Sequence, residues 1–340
     1  VTAVASFAKD TAECGGAAPV KINFHTNKRY TTKSHMDKYE AFEKLKEYAK
    51  DLSSVSYEQV YDLLKNGIQY IPIPLAKVRK HAHIDRVRPN KGGALYEHID
   101  HLGYIKDKEV IDKYLTSFGR ANCPHQVMFY GALETSLIDK QRLTAIAETS
   151  DIFRENKDCP EGKYYTVSRW ETQEEFLIVE VVFSEFALNN NPDIRRSFDK
   201  QKEMLKSHGL EEKELIFHLD FLKFISEEFS KKVTSQEDYK ISAAYTNIAL
   251  LHPEVNGISY PSVQTEYFGV NIVLTPEAVD KYLVPKICST QIVYRNGLKT
   301  LIVNGENYCD AIDVTTNIFW KEHDKSILTD KGEVAKHLNS

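Results

Sequence analysis

Apolar positions change period several times along this chain, and each change marks an element. Between residues 37 and 52, Tyr39, Phe42, Leu45, Tyr48 and Leu52 recur at three- and four-residue steps, which predicts an amphipathic helix. Ser56 opens a second helix. Gln59 stands in the reciprocal capping position, Tyr57, Val60, Tyr61 and Leu64 form the apolar stripe, and Gly67 is the stop. The prolines of the stretch from Ile71 to Leu75 (IPIPL) end this helical piece. Residues 1–36 are polar, contain Gly15, Gly16 and Pro19, and predict no regular element.

From His81 the pattern turns to strand. HIDRVRPN reads as extended and puts Arg86 and Arg88 on one face. A turn at Lys91-Gly92-Gly93 and a polar helix near 107–116 follow. Val127 to Tyr130 reads as a buried strand, and the next helix ends around Glu148. Residues 162–171 and 174–188 are rich in β-branched and aromatic side chains and read as a strand pair. Residues 189–250 read as a helical insertion or cover, with Leu215, Leu219, Leu222, Ile225 and Phe229 on one stripe and a further helix at about 236–250. Strands return at 257–263, 269–274, 286–294 and 299–305. Thr275-Pro276 opens a short helix, and the tail after Trp320 is polar. The expected fold class is α+β.

Composition narrows the function more than the fold. The net charge of −5 over 340 residues offers no broad attraction to phosphate polymers or anionic membranes, so general nucleic-acid binding is not expected. The longest apolar runs, such as Phe176 to Val182, are too short to span a bilayer. The five cysteines form no C-x-x-C motif and their odd number argues against a disulfide scaffold; residues 1–23 lack a basic start followed by an apolar stretch. A reducing, cytoplasmic setting is therefore expected.

No G-x-G-x-x-G, Walker-type loop, H-E-x-x-H or G-x-S-x-G is present. His81, His83, His98 and His101, with Asp85, Glu97 and Asp100, match no ligand spacing, so no metal is expected. Arg29 and His35 resemble the loose arginine–histidine signature of HEPN ribonucleases, which keeps an RNA-cutting element as a lesser alternative.

The stretch from Gly119 to Glu148 is the most specific. It delivers an arginine behind a glycine, an aromatic ring and a helix carboxylate, which suits a ligand with phosphates, a flat ring and a bond that breaks as positive charge develops. GRANCPHQVMFYG, then TAIAE, then GISYPSV with GVNIVL, resembles the RES domain family, over about residues 80–285. That resemblance implies an ADP-ribosyltransferase-like core of mixed or antiparallel strands, with a helical extension at residues 1–76, the RES domain at 77–310 carrying the 189–250 insertion, and a tail at 311–340.

The resemblance also implies an enzyme that consumes NAD, cleaving the nicotinamide–ribose bond and passing ADP-ribose to water, phosphate or a protein. The family arginine falls on Arg120, its tyrosine on Tyr130, its glutamate on Glu148 and its serine on Ser262; an earlier family arginine matches Arg86 or Arg88. Phe118 and Ala121 stand where short members carry glycine and tryptophan, and the interval from Tyr130 to Glu148 is wider than theirs. In these roles Arg120 holds the pyrophosphate, Tyr130 faces nicotinamide, Glu148 stabilises the developing sugar cation, and Ser262 bonds the nicotinamide ribose or amide. A neutralising partner of the Xre antitoxin type is implied, and a homo-oligomer is left open. The alternative is a non-catalytic RES-like module that binds NAD or a protein.

Overall fold

The computed structural model describes residues 5–6, 36–68, 70–138, 140–312 and 317–339. The Arg29 and His35 pair lies outside them. The chain is a mixed α+β structure built on a mostly antiparallel sheet. Its strands are β1 (Ala5–Ser6), β2 (Ile73–Val78), β3 (His83–Pro89), β4 (Phe129–Leu133), β5 (Cys159–Thr172), β6 (Phe176–Glu180), β7 (Val255–Pro261), β8 (Val270–Leu274), β9 (Leu283–Asn296), β10 (Lys299–Cys309) and β11 (Lys321–Glu322). They lie in the order β1-β2-β6-β7-β8-β4-β3-β5-β9-β10-β11, and only the β1–β2 and β6–β7 pairs are parallel.

This sheet folds over on itself. Residues 173–175 join β5 to β6, yet β7, β8, β4 and β3 stand between those strands in hydrogen-bonding order. In a flat sheet they would be ~24 Å apart. The link reaches only ~14 Å fully extended. The strands at 162–171 and 174–188 therefore do not form the expected pair: β5 bonds to β3 and β9, β6 bonds to β2 and β7, and the chain from Glu185 is already helical. The fold brings Ala76, Val78 and Ile178 from one limb against Ile84, Trp170 and Cys288 from the other, with Phe129, Ile272 and Leu274 in the same buried cluster.

Alternation sorts the rest. Ile84, Arg86 and Arg88 share the inner face of β3, whereas Asp85 and Val87 face outward. Outward Asp85, 1% exposed, takes a two-pronged ion pair from Arg169 opposite it in β5, at 2.8 and 2.9 Å. Two helical layers cover the outer face. The helix Gln141–Thr149 packs on β3, β4, β5 and β9 through Ala145 and Ile146 against Val87, Ala132, Tyr165 and Val293.

The second layer joins the N-terminal helices Lys38–Tyr48 and Tyr57–Asp62 to the helices Glu212–Ser230 and Lys240–Ala249. Ser56 and Gln59 make the reciprocal cap that the spacing predicts. Phe42 and Leu45 pack with Phe217, Phe221, Ile225 and Phe229, over Leu75, Val179, Ile258 and Val273 of the sheet. The N-terminal helices thus share a core with the 212–249 helices, and β2 runs across the position expected for the 76/77 junction. No helix among the described residues is long and apolar enough to cross a membrane.

Phe42, 4% exposed, has its ring centroid 5.5–5.6 Å from those of Phe217, Phe221 and Phe224. Phe42→Ala is expected to destabilise the protein by about 3–5 kcal/mol, as truncation of a buried phenylalanine does. Urea unfolding followed by fluorescence and by circular dichroism should keep one coincident transition; a separate early phase would show that the N-terminal helices fold independently.

Candidate active site

A cavity of about 1060 Å³ opens on the outer face of the sheet, between the two helical layers. That is just above the usual range for small-molecule and cofactor sites, ~300–1,000 Å³. Its floor comes from Val87, Tyr130, Tyr260 and Asn271. Glu148 and Thr149 stand at one side, Gly119, Arg120 and Asn122 at another, and the segment Lys232 to Gln236 with Tyr239 at a third. Arg120, Tyr130 and Glu148, far apart in sequence, therefore face one space.

Arg120 occupies the tip of a tight hairpin closed by two backbone bonds between Gly119 and Asn122, at 3.0 and 3.4 Å. A Cβ on Gly119 would fall 2.3 Å from Asn122 Oδ1 and 2.9 Å from the Tyr130 hydroxyl, so a side chain here would displace both groups from their present contact. The hairpin is bolted down on both sides. Ala121 N–H donates to the Tyr130 hydroxyl at 3.2 Å, and that hydroxyl donates to Asn122 Oδ1 at 2.6 Å. Beyond it, Gln126 bonds to Asn247, whose amide reaches Tyr57 and Cys123. The N-terminal helices thereby help to position the arginine.

The guanidinium stacks on Tyr239 at 5.1 Å and donates from Nη2 to the Lys231 carbonyl at 2.9 Å. Its Nη1 is buried and has no hydrogen-bond partner among the described residues. A buried cationic donor left without an acceptor costs free energy, and an anionic ligand atom would satisfy it.

Glu148 lies in the last turn of its helix, where the carbonyl ends of the backbone disfavour an acid. Ser262 Oγ at 2.6 Å and Asn271 Nδ2 at 3.0 Å compensate, both donating to Oε1. Oε2 takes no hydrogen bond from the described residues. Gly269 sets this distance: a Cβ there would fall 2.2 Å from Thr144 Oγ1, so only glycine lets the helix come so close to the start of β8.

Burial pushes the phenols of Tyr130 and Tyr260 above their ordinary range. For Tyr130 the Ala121 N–H and Arg120 act against that shift; for Tyr260, Tyr130 and Glu148 add to it and Arg120 opposes it. Both remain protonated near neutrality.

The residues expected from sequence separate into three groups. Arg120, Tyr130 and Glu148 line the cavity. The Tyr130 hydroxyl is committed to the arginine hairpin, which leaves its ring to meet a ligand. Ser262 is wholly buried behind Glu148 and orients it. Arg86 and Arg88 point to the inner face, away from the cavity-lining Val87. Arg86 donates to the carbonyls of Leu102 and Tyr130 with its guanidinium over the Phe129 ring, and Arg88 donates to that of Gly103. Burial, and for Arg86 the neighbouring Arg88 charge, lowers the pKa of each.

Asn271 and Tyr239 were not singled out from the sequence. Asn271 had a signal, a lone amide within the apolar run GVNIVL; Tyr239 had none. The histidine cluster does not converge either. His81 and His83 turn to Glu171, His98 packs edge-on against His101, and no three metal-ligating side chains gather among the described residues.

No protein-family model matches this chain, and no curated protein matches its sequence. The resemblance to RES domains rests on the motif residues themselves.

Gly269→Ala should destabilise the protein by about 1–3 kcal/mol through overpacking against Thr144. Adding Thr144→Ala should recover part of that loss in a double-mutant cycle read by thermal unfolding. Strictly additive effects would contradict the close approach.

Proposed function

We propose that this protein cleaves the nicotinamide–ribose bond of NAD. The observation that carries the reading is the pairing, in one cavity, of an arginine whose buried Nη1 lacks an acceptor with a glutamate tied at Oε1 and unbonded at Oε2. The first meets the charge of a pyrophosphate. The second meets the charge that develops on a sugar as its glycosidic bond breaks.

The chemistry asks for little more. As the C1′–N bond lengthens, the electron pair goes to the nicotinamide ring and the ribose acquires oxocarbenium character. A carboxylate already fixed beside that carbon stabilises the transition state more than the bound substrate, so it lowers the barrier without merely tightening binding. Tyr130 and Tyr239 supply aromatic faces for the flat parts of the ligand. The resemblance of GRANCPHQVMFYG, TAIAE and GISYPSV to RES domains points the same way, as does their implied ADP-ribosyltransferase-like architecture. A restraining partner protein of the antitoxin type and a cytoplasmic setting belong to the same proposal.

The non-catalytic alternative, a module that only holds NAD or a protein, has less support. A binding scaffold has no need to place an acid against the unfavourable end of a helix and then anchor it with two buried donors.

Purified protein should deplete NAD and release nicotinamide, measured by chromatography. Glu148→Gln should retain the fold and lower kcat by about 10²–10³, the scale of deleting one transition-state charge contact. Unchanged turnover in that variant would remove Glu148 from the mechanism. Arg120→Ala should weaken NAD affinity at least tenfold by calorimetry, about 1.4 kcal/mol; an unaltered affinity would reject its phosphate role.

A further inference from the structure

The turn that carries the anchor of Glu148 also carries a second acid to the cavity. Ser262 N–H donates to the Gly269 carbonyl at 2.8 Å and the Tyr267 N–H to the Ser262 carbonyl at 2.9 Å, closing a compact turn between β7 and β8. Within it, Glu266 (φ 51°) and Tyr267 (φ 70°) are consecutive non-glycine residues in the left-handed region. Each costs roughly 1–2 kcal/mol and persists only where its surroundings hold it.

Several elements supply that hold. The Tyr267 hydroxyl donates to the Ser230 carbonyl at 3.1 Å, and its ring stacks on Phe186 at 6.0 Å. Asn191 Nδ2 donates to the carbonyls of Tyr267 and Phe268 at 3.1 and 3.0 Å, and Thr135 Oγ1 donates to that of Phe268 at 3.1 Å. The product of this strained, well-braced backbone is an exposed Glu266 side chain that lines the cavity. It takes no hydrogen bond or ion pair from the described residues. One rigid turn thus sets the placement of two carboxylates, Glu148 through Ser262 and Glu266 directly.

Resting on the reading of the cavity as a site of NAD cleavage, we infer that Glu266 is the general base for the acceptor, and that the acceptor is a neutral hydroxyl, water being the simplest. The acceptor oxygen bonds to C1′ as the C1′–N bond breaks and its electron pair stays on nicotinamide. The acceptor proton passes to Glu266 and from there to solvent. With water the products are ADP-ribose, nicotinamide and one proton, with no redox change. Two acids, one beside the sugar cation and one for the incoming nucleophile, repeat the division of labour in glycoside hydrolysis. Inorganic phosphate needs no base, and as an anion it is repelled by a carboxylate at the acceptor position.

The test compares wild type, Glu266→Gln and Glu266→Asn with NAD, with and without inorganic phosphate, products being identified by mass spectrometry. Wild type should give ADP-ribose under both conditions. Both variants should lose about 10²–10³ in kcat, within the range of general-base deletions, with KM for NAD little changed. Azide, an anion that needs no deprotonation, should restore turnover in Glu266→Gln and yield an ADP-ribosyl azide. Turnover of Glu266→Gln within twofold of wild type, failure of azide to rescue it, or a phosphorylated ADP-ribose from wild type would overturn the inference while leaving NAD cleavage intact. Absence of nicotinamide release from wild type would instead reject the parent reading.

Discussion

Ser262 Oγ and Asn271 Nδ2 both donate to Oε1 of Glu148, and the cavity depends on this three-way contact. Ser262 follows β7, Asn271 belongs to β8, and Glu148 ends a helix that crosses the outer face of the sheet. The contact therefore ties that helix to two neighbouring strands. Without it the acid would lie against the carbonyl ends of its own helix, and free to rotate away. With it, Oε1 is taken up by the protein and Oε2 is left without a hydrogen bond from the described residues. Serine and asparagine suit the task because both donors are neutral: they orient the carboxylate without cancelling its charge.

The opposite wall is held by different means. Arg120 is fixed by its hairpin, by Tyr130 beneath, by the Tyr239 ring and by the Lys231 carbonyl. Lys231 and Tyr239 follow the helix Glu212–Ser230, whose buried face meets Phe42 and Leu45. Residues distant from the cavity thus bear on it through packing. The helical block at 189–250 and the N-terminal helices form one buttress behind the arginine, and the segment Lys232 to Gln236 with Tyr239 also lines the cavity itself.

Local elements were largely legible from sequence because their signals are local. The Ser56–Gln59 cap, the Thr275-Pro276 helix start and the shared face of Arg86 and Arg88 on β3 each depend on a few neighbouring residues. Strand partnership was not legible. Residues 162–171 and 174–188 are joined by a short link and look like a hairpin, yet the sheet folds so that each meets strands remote in sequence. At the site, Arg120, Tyr130 and Glu148 could be named from the resemblance of their motifs to RES domains, but the direction of a side chain depends on strand parity and on the turn. Arg86 and Arg88 share a face, as the pattern requires, and it is the inner one. Glu266 carries no sequence signal at all, since only the folded backbone reveals its left-handed conformation.

On the proposed reading, Arg120 and Glu148 hold neighbouring groups of one bound NAD, the pyrophosphate and the nicotinamide ribose. Crystals of the Glu148→Gln protein soaked with NAD test it most directly. Density is expected with a pyrophosphate oxygen in hydrogen-bond reach of Arg120 Nη1 and the nicotinamide ribose against residue 148. A nucleotide bound on another face, or a cavity still unfilled at saturating NAD, would contradict it.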